Sequence, residues 1–137
     1  EKSKVYLDFA HAPSKVKATV NAVREQYPTK KLIAGLELHT FSSLTFDFLK
    51  QYNGTLDEAD YSFIYYNPET IEQKGLKMIT PEDVKNAFGT QKIRVHTDIE
   101  QFVKDINALE IEEKVLLLMS SGNFGGVNIE KTAKQLL

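Results

Sequence analysis

Two apolar runs with almost no polar interruption, Lys31–Leu38 (KLIAGLEL) and Lys114–Met119 (KVLLLM), constrain this chain more than any other feature. A half-buried strand alternates apolar and polar residues, whereas a run that does not alternate is covered on both faces, as in a parallel sheet. Parallel neighbours need long crossover connections, most often helices. The segments between the runs supply them. Val5-Tyr6-Leu7 reads as a first short strand, and Pro13 stands where a helix favours its first residue. Val16, Val20, Val23 and Tyr27 then share one helical face, which Pro28 ends. Phe46, Leu49 and Gln51-Tyr52 predict a second short helix closed by Asn53-Gly54, and Tyr61–Tyr66 (YSFIYY) predicts an aromatic-rich strand.

After the break at Asn67-Pro68, Leu76–Ile79 is expected to form a further short strand. Thr80-Pro81-Glu82-Asp83 carries an N-cap, a first-turn proline and two early acids, opening a helix with Val84, Ala87 and Phe88 inward. Ile93–His96 alternates with period two. Thr97 and Glu100 have capping-box spacing, ahead of a helix whose inner face is Ile99, Phe102, Val103 and Ile106. Ser120–Gly126 (SSGNFGG) turns from the last run into a final helix with Ile129, Ala133 and Leu136. The expected fold class is α/β: one Rossmann-like three-layer domain over residues 1–137, with a mostly parallel sheet of about five or six strands.

Composition narrows the function. A chain of 137 residues is about one domain. Seventeen basic against nineteen acidic residues leave a net charge of −2, which argues against a dedicated nucleic-acid binder. No apolar run approaches the ~20 residues that cross a bilayer, and no signal-peptide pattern opens the chain. With no cysteine there are no disulfides, thiolate nucleophiles or cysteine-bound metals, and a cytoplasmic location is expected.

In parallel α/β folds ligands bind beyond the carboxyl ends of the strands, so three strand-end loops are the candidates. The first is Asp8-Phe9-Ala10-His11-Ala12-Pro13, where a carboxylate, an imidazole and a helix N-terminus suit a nucleotide. The structural alternative is that Asp8 caps the turn and His11 packs beneath it. The second is Glu37-Leu38-His39-Thr40-Phe41-Ser42-Ser43, dense in donors and acceptors for a substrate, or else a solvated loop whose serines cap the next helix. Asp8, His11, Glu37 and His39 lack the short ligand spacing of a metal site, and no protein-bound metal is expected. The third is the Ser121–Gly126 turn, whose glycines and amides could grip a carboxylate or phosphate, or simply allow tight packing. It is not a P-loop, since Gly-x4-Gly-Lys-Ser/Thr occurs nowhere in the chain. His96 reads as structural.

Taken in order, DFAHAP, ELHTFSS and MSSGNFGG resemble the C-terminal domain of the Mur ligases. The likeness is greatest to the branch that joins UDP-N-acetylmuramate to L-alanyl-γ-D-glutamyl-meso-diaminopimelate, the murein tripeptide. The resemblance implies a fragment of a longer three-domain ATP-dependent ligase, whose missing N-terminal and central domains hold the UDP-sugar, the P-loop and Mg²⁺. It implies ATP binding by Asp8, at the ribose, and by His11, near the phosphates. It implies amino-substrate binding by Phe9, His39, Ser42, Ser121, Gly122, Asn123, Gly125 and Gly126. No catalytic residue is assigned within the chain, which is expected to be inactive alone. Phe9 stands where the alanine-adding branch often has tyrosine, Leu38 where relatives usually have proline, and Ser43 at or near a usual arginine. The alternatives are that alanine-adding branch, with free L-alanine as substrate, or a non-catalytic nucleotide-binding module.

Overall fold

A computed structural model describes residues 3–90, 92–122, 124 and 131. Five strands, β1 (Lys4–Asp8), β2 (Lys31–Leu38), β3 (Tyr61–Tyr66), β4 (Ile93–His96) and β5 (Lys114–Met119), form one sheet in the order β1-β5-β2-β3-β4. Every pairing is parallel. The last strand therefore lies between the first two, with Val115 opposite both Lys4 and Leu32. This explains why KVLLLM is buried along its whole length.

The helices are α1 (Pro13–Gln26), α2 (Phe46–Leu49) with a 3₁₀ turn at Lys50–Tyr52, α3 (Pro68–Gln73), α4 (Pro81–Phe88) and α5 (Ile99–Asn107). Alternate residues of each strand feed two cores. One takes Leu32, Ala34, Leu36, Val115 and Leu117 against Val16 and Val20 of α1, Leu49 of α2 and Val84 and Phe88 of α4. The other takes Ile33, Phe63, Leu116 and Leu118 against Phe102 and Ile106 of α5. Gly35 makes room there: a Cβ would lie 2.8 Å from Leu118 Cδ2 and 3.1 Å from Phe102 Cζ. His96 is buried between Phe63 and Phe102, with Nε2 2.7 Å from Asp105 Oδ2, a structural placement.

Three local expectations are corrected. Leu76–Ile79 joins no strand, so the sheet stops at five. Of its apolar residues Leu76, Met78 and Ile79 only Ile79 is buried, its carbonyl accepting from the Tyr66 hydroxyl at 2.9 Å. The break at Asn67-Pro68 opens a six-residue helix, because Asn67 accepts from the Glu69 amide and Pro68 fills its first position. The cap of α5 is Asp98, not Thr97: its carboxylate takes the Glu100 amide at 3.0 Å. A capping box does close α4, with Thr80 and Asp83 exchanging bonds. The last-helix positions Ile129, Ala133 and Leu136 lie outside the described residues.

At the amino ends of the strands, Arg24 ties the end of α1 to the turns before β2 and β3. Its guanidinium donates to Glu58 O, Lys30 O and Asp60 Oδ2, the last at 2.6 Å, and the same Asp60 oxygen accepts from the Leu32 amide at 2.8 Å. Partial burial pushes the Asp60 carboxyl up, but the Leu32 amide and the guanidinium outweigh it and hold it below the usual carboxylate range. A carboxylate with a lowered folded pKa contributes stability above its unfolded value of about 4 and loses it as pH falls through the folded value. Urea unfolding followed from pH 7 to pH 2 should therefore show a shallower acid-side loss for Asp60→Asn than for the parent below about pH 4. Parallel acid limbs for the two proteins would contradict this.

Candidate active site

Because β5 is inserted between β1 and β2, the loop after it stands between the other two loops at the carboxyl edge. Ser120 joins all three: its amide donates to Asp8 O at 3.0 Å, and its hydroxyl donates to Glu37 Oε1 at 2.5 Å. The three loops that the sequence singles out thus form one rim.

On the β1 side, Asp8 Oδ1 accepts from the Ala10 amide at 2.8 Å, so Asp8 does cap its turn. Its second oxygen takes no partner among the described residues, and Asp8 and Phe9 together line two hollows of about 270 Å³ each. Phe9 is 71% exposed and meets the His11 ring edge-on. The His11 Nδ1 lies 3.0 Å from Phe9 O, while the Tyr52 hydroxyl donates to the His11 carbonyl from below. The imidazole is therefore held at the surface. The α1 N-terminus follows directly; it has no side-chain cap and no acid in its first turn, and Lys15 flanks it. Uncapped amides and an adjacent ammonium favour an anion.

On the β2 side, Glu37 continues the inner row of Ile33 and Gly35 and is only 3% exposed. Oε1 accepts from Ser120 Oγ and from the Phe124 amide at 2.8 Å; Oε2 lies 3.8 Å from Nδ1 of the 43%-exposed His39. The Gly122 amide donates to Ser120 Oγ at 2.7 Å. Gly122 has a packing reason to be glycine, since a Cβ would stand 2.8 Å from His39 Cγ and Cδ2 and 3.1 Å from Glu37 Oε1. The Ser121 hydroxyl is buried with no partner among the described residues. Ser42 is exposed at the rim, whereas Ser43 is buried, its hydroxyl bonded to Thr40 Oγ1 and O. Neither serine is the cap of α2, whose N-cap position is Thr45. Asn123, Gly125 and Gly126 lie outside the described residues.

Two residues that organise the rim, Glu37 and Ser120, are absent from the set assigned by resemblance. The signal for Glu37 was present: it is the one charge inside a run that reads as covered on both faces, and a buried carboxylate needs partners. Among the described residues no three His, Asp or Glu side chains converge as metal ligands; of the four considered, Glu37 and His39 come together.

Residues 1–122 match the family model described as Mur ligase, glutamate ligase domain. The chain belongs to the Mur ligase family. The UDP-N-acetylmuramate–L-alanine ligase of Lacticaseibacillus casei is 44% identical over 124 residues, covering 77% of this chain and 28% of that protein. The enzyme of the same name from Christiangramia forsetii is 30% identical over 134 residues, covering 95% of this chain and 27% of that protein. This Mur ligase domain thus spans about a quarter of the length of the curated relatives it matches. Among solved structures it superposes, with a TM-score of 0.67 and 25% identity, on a domain assigned to a UDP-N-acetylmuramate:L-alanyl-γ-D-glutamyl-meso-diaminopimelate ligase of Haemophilus ducreyi. That match covers 99% of this chain and 93% of the other. Family members are ATP-dependent ligases of cell-wall synthesis, and no described helix is long and apolar enough to cross a membrane.

Substituting Gly122→Ala should push the His39 ring outward, because that half-exposed side chain yields more easily than the buried Glu37 carboxylate. The expected outcome is a displaced His39 imidazole resonance in ¹H–¹⁵N spectra, with a stability cost of about 1 kcal/mol. An unmoved resonance would show that the loop backbone gives way instead.

Proposed function

We propose that this Mur ligase domain is the C-terminal, substrate-closing part of a longer three-domain ligase working in the cytoplasm. The enzyme joins the carboxylate of UDP-N-acetylmuramate to the amine of L-alanyl-γ-D-glutamyl-meso-diaminopimelate. The observation that carries this reading is the division of the rim. Its β1 side offers an open carboxylate oxygen at Asp8 and the uncapped, acid-free end of α1. Its β2 side offers a buried Glu37 carboxylate facing a half-exposed imidazole and a glycine loop.

In the proposed reaction ATP phosphorylates the muramyl carboxylate, releasing ADP. The amine then attacks the acyl phosphate, losing a proton and expelling phosphate to leave an amide. Asp8 accepts from the ribose hydroxyls, and His11 stands beside the phosphates at the α1 terminus. Neutralising the β- and γ-phosphates falls to the P-loop and Mg²⁺ of the central domain; this chain carries neither that motif nor, among the described residues, a three-ligand cluster. His39, Ser42 and the loop from Ser121 to Gly126 receive the amine substrate, with Phe9 beside them. This chain alone then turns over no ATP.

Two residues favour the tripeptide. Phe9 offers no hydroxyl to a small ligand, and Ser43 turns inward onto Thr40, so position 43 puts no cation in reach of a single carboxylate. Free L-alanine depends on such a charge-assisted pair, whereas a tripeptide spreads recognition over more groups. The second reading, L-alanine as substrate, is supported by the name that the curated relatives carry. With ATP and UDP-N-acetylmuramate fixed, kcat/KM in the complete enzyme should be higher for the tripeptide. A higher value for L-alanine would overturn that preference and promote the second reading.

The nucleotide assignment has its own check. Asp8→Asn keeps an acceptor for the Ala10 amide but gives up the charge. It should leave thermal stability nearly unchanged while weakening ATP by about 1.5–3 kcal/mol, read as KM for ATP in the complete enzyme. Normal ATP use by Asp8→Asn would make Asp8 a turn cap only.

A further inference from the structure

We propose that Glu37 is the positioning residue of the amine side of the rim: one buried carboxylate that fixes Ser120, Gly122 and Phe124 after β5 and sets His39 against Gly122. The proposal rests on the ligase reading for the substrate it names, and on geometry for the rest.

Glu37 stands on the apolar α5 side of the sheet, in the row of Ile33 and Gly35, with the Phe124 ring in the same core. An ionised carboxylate there loses its hydration, and an apolar residue of like volume would cost the fold less. No lysine or arginine pairs with it among the described residues. What Glu37 gains is control of the loop. Oε1 takes both the Ser120 hydroxyl and the Phe124 amide, holding these two residues on one atom. The Ser120 hydroxyl, oriented by donating to Glu37, accepts from the Gly122 amide, so Gly122 is fixed through the same oxygen. Oε2 is left for His39, whose ring fills the space that a side chain on Gly122 would occupy. Remove the carboxylate and the turn loses two anchors, while His39 loses the charge it faces. The Asp8 carboxylate is held through its own turn, and Asp8 meets Ser120 only through a backbone bond of the β1–β5 ladder edge, so the nucleotide side should not feel the change.

The test compares Glu37→Ala, Glu37→Gln and Ser120→Ala in the complete enzyme, by hydrogen exchange of the Gly122 and Phe124 amides and by KM for each substrate. Glu37→Ala should speed exchange at those amides by about tenfold or more. It should raise KM for the amine substrate by about tenfold, because a displaced loop misplaces the amine, and leave KM for ATP and for UDP-N-acetylmuramate within about twofold. Glu37→Gln keeps an acceptor oxygen and should restore slow exchange and most of the amine affinity. Ser120→Ala removes one anchor and should give an intermediate rise in amine KM, which keeps the proposal testable if Glu37→Ala fails to fold. Unchanged exchange in Glu37→Ala, an equal rise in all three KM values, or an unchanged amine KM in Ser120→Ala would overturn it. The exchange arm needs no turnover. A loosened loop in an enzyme that joins no amine to UDP-N-acetylmuramate would defeat the ligase reading and leave the role of Glu37 in the loop standing.

Discussion

The pairing of β5 between β1 and β2 is the interaction on which the rest of the structure depends. It turns KVLLLM into a strand with hydrogen-bonded neighbours on both edges and apolar side chains on both faces. It also places the loop after β5 between two other strand-end loops, so the rim is a consequence of strand order. Ser120, the first residue beyond that strand, reaches Asp8 on one side and Glu37 on the other because parallel register brings their carboxyl ends level.

The two ends of the rim use opposite electrostatics. The β1 end gathers the N-terminal amides of α1 and Lys15 and keeps one exposed carboxylate. The β2 end buries its carboxylate and exposes an imidazole beside it. On the proposed ligase reading the first end takes an anion and the second an amine, and a reaction between an acyl phosphate and an amine requires the two to lie side by side. Phe9, largely exposed and lining both hollows, stands at the boundary.

Much of this was legible in the sequence, and the failures have physical causes. Uninterrupted apolar runs marked β2 and β5, and spacings of four, three and four marked α1, because burial on two faces or one stripe leaves those patterns directly. The helix Pro68–Gln73 is too short to show a period and is announced only by its cap. Leu76–Ile79 misled because three apolar residues in four read as a strand when only Ile79 is buried, in the core on the α1 and α4 side of the sheet. At α5, Asp98 outcompetes Thr97 since its carboxylate reaches the first-turn amide of Glu100 from one residue nearer. That these three loops would share one edge was legible because the strands before them run parallel and their carboxyl ends lie level. That Ser43 turns inward, and that Gly122 yields its space to a histidine from another strand, depends on packing across the sheet, which no local pattern encodes.

The strand order also sets when the rim can exist during synthesis. The segment from β2 through β4 builds its pairings between consecutive strands, but β1 touches the sheet only through β5, near the far end of the described chain. Pairing Lys4 with Val115 closes nearly the whole length of the domain, and contacts so distant in sequence form late and slowly. A nascent chain that has not yet released β5 from the ribosome therefore holds Asp8 apart from Glu37 and His39. Rim assembly and completion of the sheet become the same event, and a truncated or stalled product leaves the Asp8 side and the Glu37 side of the rim unjoined.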